Sequence, residues 1–221
     1  MSINIIWDFD GVIADSELVW LENRRKLLNE QLNLNWDMTT IYKHIGGMSD
    51  MGKKLKLQEM GINVPESFWQ EVLKMDTKSI INGEMIVTPN VEKVFEAFVG
   101  HQCVATGGIF SKTKEKLENI GFKNFFADET LFTADMVGYG KPEPDIFLLA
   151  QETMGWDKKD CVVIEDSIPG MIAGKRADIK TIAFTGNYSG NKEAFIKEIQ
   201  KIGIEHVFDD MLDIKEFLTS I

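Results

Sequence analysis

The chain has no apolar run long enough to cross a bilayer, only two cysteines and three histidines, and far fewer basic than acidic residues. Each shortage excludes something. A membrane-spanning helix needs about 20 consecutive apolar residues, so none is expected. The short N-terminal apolar stretch is broken by Asp8 and Asp10 and has no basic flank, so it does not read as a signal peptide. Cys103 and Cys161 lie far apart in predicted buried strands and read as reduced core residues, as expected of a cytoplasmic protein. His44, His101 and His206 are scattered and fit no metal-ligand spacing. With 24 Lys and Arg against 35 Asp and Glu, the net charge of −11 repels polyanions and argues against nucleic-acid binding. Any anionic ligand must then be held by local positive groups: a metal, a lysine or backbone N–H groups. What remains is ordinary for a globular protein, 44% apolar and 27% charged over 221 residues, enough for one or two domains.

Periodicity divides the chain. Ile3 to Trp7 reads as a first β-strand. Residues 16–82 then read as helical throughout. Leu18, Leu21, Arg25 and Leu28 mark one stripe, Ser49 to Met60 a second and Phe68 to Ile80 a third, with Asp37 and Ser67 as N-cap candidates. After Thr88-Pro89-Asn90, helices over 91–99, 112–120, 144–154 and 168–177 alternate with strands over 103–106, 125–127, 161–165 and 181–185. A strand over 206–208 and a helix over 212–218 close the chain. Strand–helix alternation implies a parallel sheet with helices on both faces. The first strand is too short to stand alone and must join that sheet. The expected organisation is therefore a parallel α/β core of residues 1–15 and 83–221, with an all-helical domain of residues 16–82 inserted into it.

The chemistry-bearing residues fall at predicted strand ends, where open α/β sheets bind ligands. Asp8 and Asp10, two apart behind the first strand, project together before Gly11 turns the chain. Two carboxylates that close repel each other unless a cation lies between them, and oxygen ligands suit a hard divalent ion such as Mg²⁺. The plain alternative is an acidic turn closing a strand. Thr106-Gly107-Gly108 offers a hydroxyl and glycine-turn amides before a helix, a way to hold phosphate, although most such triplets are simply turns. Lys141 sits between glycines and prolines that would aim its ammonium, where a solvated loop lysine is the ordinary reading. Glu165-Asp166 ends the apolar run from Cys161 to Ile164, as solvated caps or as metal ligands. Together, in this order, they supply a nucleophile, an acid/base, a hydroxyl anchor, a counter-charge and a metal cradle, the parts that phosphoryl transfer uses.

This pattern resembles the haloacid dehalogenase superfamily over essentially the whole chain, in its branch of phosphatases and β-phosphoglucomutases with a helical cap. DFDGVIADSE is similar to the first motif, VATGG to the second, GYGKPEPDIF to the third and VVIEDSIPGMIAG to the fourth. The resemblance implies a Rossmann-like core with the cap inserted just after the first motif, and implies that Asp8 attacks phosphorus and becomes an aspartyl-phosphate. It implies that Asp10 protonates the leaving alcohol, then activates water, and lends its backbone carbonyl to Mg²⁺. Asp8 and Asp166 would also ligate the metal, with Glu165 either a direct ligand or a partner behind it. Thr106, Gly107 and Lys141 would hold the phosphoryl oxygens. The cap would close over the substrate and read its non-phosphate part, with Arg24 on the first cap helix as a candidate contact. A small phosphorylated metabolite, such as a sugar or sugar-acid phosphate, is the implied substrate, acted on by a monomer or weak dimer.

Departures from the family pattern separate the alternatives. Gly107 and Gly108 stand where a serine or asparagine is usual, which shifts phosphate anchoring toward the backbone. A hexose-phosphate mutase would carry an arginine in a cap loop, and the nearest match, Gly46-Gly47-Met48-Ser49-Asp50, offers Asp50 instead. Asp10 separates the chain from metal-free dehalogenases. A response-regulator-like receiver would be shorter and would place its lysine after the acidic pair, whereas Lys141 precedes Glu165-Asp166.

Overall fold

The structure is a computed structural model describing residues 3–46, 48, 50–188 and 190–221, with the side chain of Asp50 also outside the described set. The cap-loop comparison over Gly46-Gly47-Met48-Ser49-Asp50 therefore lies outside the described residues. The chain separates into two compact units, Met1–Asp15 with Ile86–Ile221, and Ser16–Met85.

In chain order, the first unit begins with β1 (Asn4–Trp7) and the short β2 (Ala14–Asp15). The second unit is α1 (Glu17–Leu32), α2 (Met38–Ile45), α3 (Asp50–Glu59) and α4 (Glu66–Ile81). The first unit then resumes with β3 (Ile86–Val87), α5 (Val91–Ala97), β4 (Gln102–Thr106), α6 (Phe110–Asn119) and β5 (Leu131–Thr133). It ends with α7 (Asp145–Thr153), β6 (Cys161–Glu165), α8 (Ile168–Arg176), β7 (Lys180–Phe184), α9 (Lys192–Ile202), β8 (His206–Phe208) and α10 (Met211–Ser220).

Six strands form one sheet in the order β5-β4-β1-β6-β7-β8, every pairing parallel. Both faces are covered, which is why β1 and β4 are buried along their whole length instead of alternating. One face carries Ile6, Cys103, Val163 and the α7 residues Ile146, Phe147 and Ala150. On β1 the side chain next to Ile6 points the other way, and Trp7 meets Phe95 of α5 edge to face at 5.1 Å. Each fully buried aliphatic side chain in these layers contributes about 1.5–3 kcal/mol. Cys103 and Cys161 are free, buried thiols in the same core.

The helical unit is built around Leu21, Leu27, Leu28, Ile41, Ile45, Leu57, Phe68 and Val72. Its start signals act as physical caps only in part. Asp37 accepts the Thr40 amide at 2.7 Å and opens α2. Ser67 does not cap α4: Pro65 precedes the first turn and Ser67 lies inside it.

The strand expected over 125–127 is a correction. Two 3₁₀ turns, Lys123–Phe125 and Asp128–Thr130, occupy that segment, and the strand beside β4 is Leu131–Thr133. Phe122, Phe125 and Phe126 instead gather around Phe95, with ring centroids at 5.0–5.3 Å. The aromatic run is apolar for packing, not for pairing. Helix α9, absent from the sequence reading, buries Phe195 and Ile199 and is capped by Asn191.

Candidate active site

The strand order reverses direction around β1. The chain goes from β1 out to β4 and β5, then returns to β6 on the other side. Such a switch point leaves a crevice at the carboxyl ends of the central strands; β4 and β6 end there in Thr106 and Glu165, and Asp8 comes just after the last residue of β1.

Asp8 follows β1 directly, and its amide donates to the Ile164 carbonyl at 3.0 Å, fixing it against the end of β6. The loop beyond it turns tightly. Gly11 has φ +85°, and a Cβ there would lie 1.9 Å from Asp166 Oδ2, so only glycine lets the loop approach that carboxylate. Asn187 fastens the loop from outside, donating to the Gly11 carbonyl at 3.0 Å and to Thr88 Oγ1 at 2.6 Å.

Lys141 joins the two strand ends. Its Nζ donates to Asp8 Oδ1 and to Glu165 Oε1, each at 2.6 Å, and to the Ala105 carbonyl at 3.1 Å. The ammonium also stands 4.8 Å from the Phe147 ring centre. Burial opposes its charge, but Asp8 and Glu165 outweigh burial and hold its pKa above the ordinary lysine value.

Glu165 is buried and fully engaged. Its Oε1 takes the Lys141 bond, while Oε2 accepts the Ser167 amide at 2.8 Å and the Ser167 hydroxyl at 2.9 Å. Ser167 in turn caps α8 by accepting the Gly170 amide. A Cβ at Gly170 would strike Glu165 Oε1 at 1.7 Å, so that glycine is required by the carboxylate beneath it.

Asp8, Glu165 and Asp166 each present an oxygen within 4.8 Å of the others. Burial pushes the Asp8 carboxyl up to about 7, with Lys141 opposing and the Glu165 and Asp10 charges adding. Burial likewise raises Asp166 well above the carboxylate range, and Glu165 and Asp8 raise it further. Three crowded, desolvated carboxyl groups of this kind fit a hard divalent cation, which an all-oxygen donor set favours. Four carboxylates (Asp8, Asp10, Glu165, Asp166) stand with the ammonium groups of Lys141 and Lys116. One divalent charge would neutralise the set.

Lys116 is a residue that sequence reasoning missed. It lies on α6, is 6% exposed, and its Nζ donates to Asp10 Oδ1 at 2.6 Å while standing 5.2 Å from the Phe9 ring centre. Lys112, Lys114 and Lys116 look alike in the sequence. Only helical phase separates them: Thr113, Lys116 and Leu117 share the buried face.

Thr106 ends β4 fully buried, with its hydroxyl accepting the Gly108 amide at 3.3 Å. Gly107 is exposed, and an added Cβ would meet nothing within 4 Å. Arg24 belongs to the other unit and a different network. It is 2% exposed, and its Nη1 donates to Asp76 Oδ2 and to the Trp20 carbonyl, both at 2.9 Å. Asn23 reinforces Asp76 at 3.0 Å and reaches Ser79 at 3.2 Å. Among the described residues no helix is long and apolar enough to cross a membrane.

Known proteins are similar to this chain in sequence and in fold. The Escherichia coli (strain K12) protein named hexitol phosphatase B is 27% identical over 199 residues, covering 86% of this chain and 87% of its own. The bifunctional riboflavin kinase/FMN phosphatase of Arabidopsis thaliana is 49% identical over 63 residues, 28% of this chain, and the match spans 16% of that longer protein. A crystal structure of a HAD family hydrolase from Deinococcus radiodurans R1, with bound phosphate and sodium, shares the fold. Its TM-score is 0.85 at 21% identity, covering 99% of this chain and 96% of that one. The family described as haloacid dehalogenase-like hydrolase matches residues 5–184, a span that contains Asp8, Thr106, Lys141 and Asp166 together. The chain therefore belongs to the haloacid dehalogenase-like hydrolases.

Proposed function

We propose that this chain is a Mg²⁺-dependent phosphatase that hydrolyses a small phosphomonoester, a sugar or sugar-acid phosphate, through an aspartyl-phosphate on Asp8. The observation that carries this reading is Asp8 itself. It is a desolvated carboxylate at the end of a central strand, bonded to Lys141 at 2.6 Å and grouped with Glu165 and Asp166. The named activity of the hexitol phosphatase relative supports the substrate class.

In the first half-reaction Asp8 Oδ forms a bond to phosphorus while the bond from phosphorus to the substrate oxygen breaks. Asp10 gives its proton to the departing alkoxide. In the second half, Asp10 takes a proton from water, the water oxygen bonds to phosphorus, and the Asp8–phosphorus bond breaks to release phosphate. Lys141 would hold one phosphoryl oxygen, and the Thr106 hydroxyl and Gly107 amide would hold others. These groups are preorganised, so they stabilise charge in the transition state with little reorganisation. Mg²⁺ would be held by the Asp8 and Asp166 side chains and the Asp10 carbonyl, and would supply Lewis-acid stabilisation of the transferring group. Both Glu165 oxygens already serve Lys141 and Ser167, so we assign Glu165 to holding Lys141 and α8 in place. The helical unit would be the cap.

Phosphate release from a panel of sugar, sugar-acid and nucleotide monophosphates tests the reading, run with Mg²⁺, with chelator, and with Asp8→Asn. Release should need the metal and vanish in the variant. Release that persists in Asp8→Asn, or none from any compound by folded protein, would overturn it.

A further inference from the structure

The second ammonium of the site has a partner that the reaction depends on. We propose that Lys116 is a positioning residue for Asp10, holding its carboxylate in the orientation from which it passes a proton to the leaving alcohol. This inference rests on the phosphatase reading above.

The asymmetry of the pair carries the argument. The Lys116 side chain is 8% exposed and the Asp10 side chain 37%, with Nζ and Oδ1 at 2.6 Å. The lysine is thus the fixed member. Its stem is held on the buried face of α6 beside Leu117, and its ammonium stands over Phe9, the residue between the two aspartates. Asp10 is the partly exposed member, in the turn beyond β1 just before Gly11. An ammonium in that setting costs desolvation free energy, which a purely structural role could avoid with leucine or methionine at the same helical position. What the lysine supplies and an apolar residue would not is a directional, charge-assisted bond to one oxygen of Asp10. Proton transfer demands this: the acid must sit within hydrogen-bond reach of the leaving oxygen, and a misplaced group loses rate steeply.

Two substrates separate positioning from packing. A sugar phosphate must expel an alkoxide and needs the Asp10 proton, whereas p-nitrophenyl phosphate releases a stabilised anion that leaves without one. For each, kcat/KM reports the steps up to alcohol release. Lys116→Met keeps a stem of similar length against Phe9 and removes the charge. With the sugar phosphate hydrolysed fastest in the panel, its kcat/KM should fall about thirtyfold or more, a part of the roughly 10²–10⁴-fold that a positioned general acid contributes. With p-nitrophenyl phosphate the fall should be under threefold, and competitive inhibition by inorganic phosphate should be unchanged. Lys116→Arg should recover most of the lost discrimination. If Lys116→Met loses its folded far-UV signal, Lys116→Gln carries the same comparison, since its amide can still pack without the charge. Equal losses on both substrates, or no loss on either, overturn the positioning role and leave the phosphatase reading standing. Absence of metal-dependent release by the unaltered chain overturns that reading and, with it, this one.

Discussion

Lys141 meets Glu165 at 2.6 Å, the same distance at which it meets Asp8, so one ammonium couples the ends of β1 and β6. Glu165 and Asp166 are adjacent in sequence, and the proposed function gives them different tasks, Glu165 being the one bonded to Lys141. Glu165→Gln should lower kcat about 10–100-fold, the scale expected when a supporting partner is weakened, with little change in half-saturating Mg²⁺. Asp166→Asn should raise half-saturating Mg²⁺ more than tenfold. Activity measured across a Mg²⁺ titration separates the two. An equal rise in Glu165→Gln would make Glu165 a direct ligand.

The glycines of the site make a sharper contrast. Gly11→Ala combines a backbone at φ +85° with a Cβ 1.9 Å from Asp166 Oδ2. The strain alone costs about 1–3 kcal/mol, and the clash must displace either the loop or the carboxylate. Activity should be lost, and the melting temperature should fall by several degrees. Gly107→Ala should change the melting temperature by less than a degree, because its Cβ would enter open space. Thermal scans of both variants beside the parent decide it. A stable, active Gly11→Ala protein would show that the loop has room that its geometry denies.

How much of this was legible before any coordinates depended on the kind of signal. The sheet could be read because parallel strands buried on both faces leave continuous apolar runs, as from Cys161 to Ile164. The position of the fifth strand could not. Phe125-Phe126 and Leu131-Phe132 are equally apolar, and only tertiary packing onto Phe95 assigns the first pair to a turn. Asp8, Lys141, Glu165 and Asp166 stood out because each follows an apolar strand or sits in a glycine–proline frame. Lys116 lies among three lysines on an amphipathic helix, and only its helical phase beside Thr113 and Leu117 distinguishes it. Arg24 stood out only as a candidate substrate contact, and its bond to Asp76, 52 residues away, could not be read from the sequence.

Removing the metal should reverse the ordinary pH response of the site. An Asp carboxyl raised from 3.8 to about 7 binds a proton in the folded chain that it would release on unfolding. The folded state therefore holds more protons than the unfolded state between about pH 4 and pH 7. Stability must then fall as pH rises through that window. Asp166, raised in the same direction, adds to the trend. One such shift is worth at most about 4 kcal/mol. Denaturant titrations in chelator should give a less stable protein at pH 7.5 than at pH 5. Adding Mg²⁺ at pH 7.5 should restore about 2.7 kcal/mol at a hundredfold excess over its Kd. A chelated protein equally stable at both pH values would mean that the carboxyl cluster is relieved by something other than a cation.

Arg24 and Asp76 supply a test of what holds the helical unit together. Their bond at 2.9 Å joins α1 to α4, with side chains 2% and 13% exposed, and Asn23 braces the same carboxylate. Cutting a buried pair on one side leaves the other charge uncompensated, at a cost of about 3–5 kcal/mol. Arg24→Leu should therefore lower the melting temperature of the protein by roughly 6–12 °C, taking the lower end of that cost. KM for the best phosphomonoester should change less than about twofold, because the side chain is buried and its Nη1 donates to Asp76 and to the Trp20 carbonyl. Calorimetry with steady-state kinetics on the same preparation reads both quantities. A tenfold rise in KM at an unchanged melting temperature would return Arg24 to the substrate-reading role that the family resemblance implied.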